Sequence, residues 1–128
     1  MKYKVLLILL TFLCCSKEDT EILTYAELKG KWIETETRLD TLYFESMENL
    51  EILNLNRGKE IRNGILMPKY GSGPYNYNLF GEKISLNWLL SSDSNYNDYY
   101  FKINGNKLNI GNFYGSTSSE TLIFERLD

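Results

Sequence analysis

From Trp32 to the end of the chain, apolar and polar side chains alternate with a period of two, broken at short intervals by turn residues. Strands with one dry and one wet face satisfy that pattern; a helix does not. Tyr75, Tyr77 and Leu79, Ile84, Leu86 and Trp88, Tyr99, Phe101 and Ile103, Leu108 and Ile110, and Leu122 and Phe124 each share one side of a strand. Asn76, Asn78, Ser85, Asn87, Tyr100, Lys102 and Asn109 take the other. The pattern predicts strands at Trp32–Leu39, Thr41–Glu45, Leu50–Asn56, Glu60–Met67, Tyr75–Phe80, Ile84–Leu90, Tyr99–Ile103, Leu108–Tyr114 and Thr121–Leu127. Asn56-Arg57-Gly58, Asn63-Gly64, Gly71-Ser72-Gly73-Pro74, Gly81-Glu82-Lys83 and Asn104-Gly105-Asn106-Lys107 supply the turn chemistry. Short links make sequence neighbours antiparallel partners, so order in space should follow order in the chain. A meander of many short strands removes its edges by closing on itself. The expected fold is therefore all-β, a small antiparallel up-and-down barrel of eight or nine short strands. One short N-terminal helix precedes it: Thr24-Tyr25-Ala26-Glu27 fits a capping box, and Gly30 stops the helix within two turns.

Composition narrows the chemistry. The chain of 128 residues has no histidine, and its only cysteines, Cys14 and Cys15, are adjacent near the start. A fold built from the remainder has neither imidazole nor thiol, which removes Ser-His-Asp and Cys-His catalysis, structural disulfides and most zinc, copper or iron sites. No HExxH, phosphate-cradling GxxxxGK or DxDxDG loop occurs. The expectation is a protein that is not an enzyme and holds no cofactor and no metal. Ten Tyr, six Phe and two Trp provide ample material for a core.

The first 14 residues read as a leader. Lys2 and Lys4 precede the apolar run Val5–Leu13, which at nine residues is too short to cross a bilayer as a helix. Removal of Lys2 and Lys4 leaves 12 basic against 17 acidic residues, a net charge of −5, which disfavours nucleic acid as a partner. Phe12-Leu13-Cys14-Cys15-Ser16 resembles a bacterial lipobox, with Phe12 where that motif usually has Leu. The resemblance implies that Cys15 is lipidated and becomes the new N-terminus, so that the membrane is a partner through its acyl chains. Ser16 after the cysteine, in place of Asp, points to the outer membrane. Lys17-Glu18-Asp19 resembles the surface-export signal of Bacteroidota lipoproteins, which implies display at the cell surface, the alternative being the periplasmic face. Residues 15–21 then form a flexible tether, and 22–128 the folded domain.

Leu28-Lys29-Gly30-Lys31-Trp32, a helical turn followed by Gly-x-Trp opening the first strand, resembles the lipocalin or calycin barrels, and in particular the lipocalin-like domains of Bacteroidota lipoproteins. The resemblance implies a structural signature of Gly30, Trp32 and Arg126, with Trp32 closing the barrel floor and Arg126 of the last strand lying over it. A guanidinium above an indole is a favourable pair in its own right.

Candidate binding residues follow from the inward parity. If Trp32 points in and the strand continues, Glu34, Glu36 and Arg38 point in as well. Buried carboxylates need partners, so either a bulge near Glu34 flips the strand, or Glu34 and Glu36 line a wet mouth and meet Arg38 or a ligand. Tyr77, Trp88 and Tyr99 are the aromatic candidates for a cavity wall, although an eight-stranded barrel this size leaves little space inside. The leading expectation is binding of a small hydrophobic or amphipathic molecule at the open end. The alternative is a protein- or glycan-interaction module with a filled barrel, acting through the tyrosine-bearing loops at Pro68–Tyr75 and Ser91–Tyr100.

Overall fold

The computed structural model describes residues 25–115 and 119–127. The leader, Cys15, the tether, Ile22 as the start of the domain and the Thr24 cap all lie outside the described residues. Within them, one helical turn, α1 (Tyr25–Leu28), leads into ten strands: β1 (Gly30–Glu34), β2 (Thr41–Met47), β3 (Leu50–Asn56), β4 (Lys59–Arg62), β5 (Ile65–Pro68), β6 (Gly73–Phe80), β7 (Lys83–Trp88), β8 (Asn97–Asn104), β9 (Lys107–Gly111) and β10 (Thr121–Leu127). Eight of them close into an antiparallel barrel in the order β1-β10-β9-β8-β7-β6-β3-β2. The period-two residues turn inward: Tyr75, Tyr77, Ile84, Leu86, Phe101, Leu108, Ile110 and Phe124 are buried with Trp32, Leu42, Phe44, Leu53 and Leu55 in one core. No helix among the described residues is long and apolar enough to cross a membrane.

Two predicted strands are corrected. Glu60–Met67 is not one strand but the hairpin β4–β5, folded back at Asn63 (φ 52°) and Gly64 (φ 77°). Positive φ at both central residues suits the tight turn whose twist matches its flanking strands. This hairpin forms its own two-stranded sheet and leaves the wall, so β3 pairs with β6 and spatial order departs from chain order there. The strand expected over Trp32–Leu39 ends at Glu34, because the Glu34 carboxylate captures the backbone of the next residues. Its oxygens accept the N–H groups of Glu36 and Thr37 at 2.8 and 2.7 Å and the Thr37 hydroxyl at 2.7 Å. Arg38 completes the turn in the left-handed region, at φ 57°. Neither a strand-flipping bulge nor a wet row of Glu34 and Glu36 is present: Glu34 is buried, while Glu36 and Arg38 are exposed, Arg38 pairing with Glu125.

The barrel has two unlike ends. At one, α1 lies across the opening: Leu28 is buried, the Tyr25 ring packs 5.6 Å from Tyr77, and the Tyr25 hydroxyl accepts the Leu79 N–H at 3.2 Å. Trp32 sits beneath, its indole N–H donating to the Leu28 carbonyl at 2.9 Å. Arg126 Cζ stands 4.3 Å from the Trp32 ring centroid, and its guanidinium donates to the carbonyls of Lys29, at 2.8 Å, and Glu27. The last carbonyls of a one-turn helix, which have no partner of their own, are thus satisfied by the two side chains that close the floor. Gly30, at φ 118°, makes the turn from helix to strand, and a Cβ there would stand 3.5 Å from Arg126 Nη1. At the other end the chain emerges in longer connections, at residues 35–40, 69–72, 89–96 and 112–115.

Candidate functional site

This second end carries a cavity of about 200 Å³. Its floor and walls follow from strand register. Tyr75, early in β6, is paired with Trp88, at the end of β7, and their rings stack with centroids 6.3 Å apart at 23°. Tyr99 enters from β8. Phe113, just beyond β9, bridges the set edge-on, with centroids 5.1 Å from Tyr75, 6.0 Å from Tyr99 and 4.8 Å from Tyr114. Tyr70 leans on Trp88 from outside at 5.7 Å. Polar residues complete the lining: Asn87 of β7, Asn97 of β8, and Ser91, Asp93 and Asn95 of the connection between them. That connection folds on itself: Ser91 Oγ accepts the Asp93 N–H, and Asp93 Oδ1 the Asn95 N–H, each at 3.0 Å. Consecutive turns of this kind hold a polar loop in shape without apolar burial.

The mouth is braced by a second set of contacts. Arg57, just past β3, lies 4.7 Å above the Tyr114 ring, donates to the Tyr70 carbonyl at 2.8 Å and pairs with Asp40 at 3.5 Å. The Tyr75 hydroxyl donates to the Gly71 carbonyl at 2.6 Å. Burial pushes the phenols of Tyr75, Tyr99 and Tyr114 above their ordinary range, so all three stay protonated near neutral pH and serve as hydroxyl groups. Gly71 is required where it stands, because its φ is 84° and a Cβ would lie 2.8 Å from Tyr114 Cβ. Gly71→Ala is expected to lose about 1–3 kcal/mol from backbone strain alone. Urea unfolding followed by circular dichroism checks it, and an unchanged midpoint would remove Gly71 from the brace.

The structure brings together some of the residues marked from sequence and separates others. Trp88 and Tyr99 line the cavity. Tyr77 does not: it is buried between Tyr25 and Phe44, the latter edge-on at 5.3 Å, towards the closed end. The Glu34 carboxylate is fully used by its own turn, and Glu36 faces solvent. Among the loop tyrosines, Tyr70 belongs to the mouth, whereas Tyr100 stands on the outer face of β8 opposite Lys83. Sequence reasoning missed Phe113 as a wall residue; the signal was an aromatic pair, Phe113-Tyr114, between Asn112 and Gly115 after a short strand. Among the described residues no cluster of acidic or thiol side chains is arranged to hold a metal ion. Compared with known proteins, the chain matches no family model, no curated protein and no solved structure.

Proposed function

We propose that this chain is a lipid-anchored, lipocalin-like binding protein of the outer membrane, without catalytic activity, that takes a small amphipathic molecule at the open end of its barrel. The observation that carries the reading is the mouth cavity itself, lined by aromatic rings and by asparagines, at the end opposite the Trp32–Arg126 closure. A concave site that joins aromatic surface to a few placed polar groups is a usual form of small-molecule site. At about 200 Å³ it is smaller than the roughly 300–1,000 Å³ typical of drug-sized ligands, which limits the guest to a single ring or a short chain.

A second reading, docking of a larger partner, draws on the hairpin β4–β5, where Ile61, Ile65 and Leu66 are 73%, 63% and 62% exposed. Exposed apolar side chains grouped on one projecting element favour contact with another surface.

Native mass spectrometry of the purified protein, after incubation with a lipid and metabolite extract, separates the two. A small-molecule mass that is retained by the natural chain and lost in Trp88→Ala is expected. Retention that Trp88→Ala leaves untouched, or no retention at all, overturns the mouth as the site and moves the reading to the hairpin.

A further inference from the structure

Resting on the mouth as the binding site, we infer that its ligand is a neutral sugar ring, either a free monosaccharide or the terminal unit of a glycan. Three features of the cavity lead there. Its apolar lining is aromatic, with Tyr75, Trp88 and Phe113 among it, and among the described residues Leu86 is the single aliphatic residue lining it. An alkyl chain is held by branched aliphatic walls, whereas flat rings match a flat guest with polarised C–H groups, which the negative π-face attracts. The cavity is lined as well by Asn95 and by Asn97, which stands opposite inward-facing Leu86. An amide offers donors and an acceptor together, the set that a hydroxyl, itself both donor and acceptor, requires.

Charge supplies the third feature. Among the described residues no lysine or arginine lines the cavity, Arg57 beside it being paired with Asp40, and Asp93 does. A carboxylate, sulfate or phosphate on the guest would meet a like charge and no cation, so fatty acids, uronic acids and phosphorylated sugars are disfavoured. The cavity volume admits one six-membered ring with its substituents, so a longer glycan would enter by its end and leave the rest in solvent.

The test is two-dimensional NMR of the purified, nitrogen-labelled protein, titrated with methyl glucopyranoside, methyl galactopyranoside, glucuronate and 1-octanol. The two tryptophans make it internally controlled. The Trp88 indole N–H lies at the mouth and is buried without a hydrogen-bond partner among the described residues, whereas that of Trp32 is held by Leu28 at the far end. The expected result is a saturable shift of the Trp88 indole and the Asn95 and Asn97 amides with at least one neutral glycoside, Trp32 staying still. Glucuronate should bind more weakly than the neutral glycosides, the effect of one like charge at the mouth, and the gap should shrink as salt is added. Asp93→Asn preserves the acceptor of the Asn95 turn and should narrow that gap. If octanol moves Trp88 and neither glycoside does, the sugar inference falls and the mouth reading stands. If no probe moves Trp88, both fall.

Discussion

Trp32→Ala is expected to destabilise the domain by about 3–5 kcal/mol, the range for removing a large buried aromatic side chain. Trp32 is 0% exposed, and three things depend on it: the packing of the barrel floor, the Leu28 carbonyl that accepts from its indole, and the stacked position of Arg126. Against the roughly 5–15 kcal/mol available to a domain of ordinary stability, the loss is a large fraction of the whole. Thermal unfolding followed by circular dichroism should show Tm falling by more than about 12 °C for a domain this size. Trp32→Phe, which keeps a ring and loses the N–H, should fall between the two. A Tm unchanged by Trp32→Ala would sink the assignment of Trp32 as the floor.

The second large effect is at Glu34. Its carboxylate accepts from two backbone amides and one hydroxyl while only 6% exposed, so Glu34→Ala strands donors at the point where β1 must turn. Hydrogen bonds to a charged group are worth about 1.5–3 kcal/mol each, not additively, and a loss of about 2–4 kcal/mol is expected. Acid should mimic the substitution. Burial by itself would raise the Glu34 pKa, but the hydrogen bonds from the Thr37 hydroxyl and from the backbone of Thr37, Glu36 and Arg38 outweigh it and hold the group below its ordinary 4.5. A lowered folded-state pKa means that the stabilisation is complete above the unfolded value and disappears as pH falls through the folded one. Urea midpoints measured from pH 7 down to pH 3 should therefore drop more steeply for the natural chain than for Glu34→Gln. Parallel curves would show that this carboxylate contributes nothing to acid sensitivity.

What could be read from sequence depended on how local the cause was. From Tyr75 to Ile110 each strand carries its own alternation and each turn its own Gly or Asn, so β6 to β9 and their inward faces were legible. The stretch after Trp32 was not. Ile33, Thr35 and Thr37 are good strand formers, and nothing in their spacing reveals that one carboxylate, two positions past the tryptophan, will bind the backbone ahead of it. At Glu60–Met67 the apolar content outweighed the Asn63-Gly64 signal, because a strand and a hairpin of the same residues share one composition. The mouth was half legible for a related reason. Trp88 and Tyr99 have inward parity, which is a local property, whereas Phe113 reaches Tyr75 only through the curvature of a closed sheet. Parity also selected Tyr77, since it states which side of the wall a residue faces and not which end of the barrel it occupies.

The seam of the barrel has a kinetic consequence. β1 and β10 are joined residue to residue, Lys31 beside Leu127 and Glu34 beside Phe124, although nearly the whole domain separates them along the chain. Hairpins such as β6–β7 and β8–β9 close short loops and can form early, but the circle is completed only by the pairing with the greatest sequence separation. Until that pairing forms, Trp32 has no Arg126 above it and β1 presents a bare edge, so a chain still being synthesised carries its floor unfinished. The same two side chains that seal the finished barrel thus belong to the strand pairing with the highest cost of loop closure.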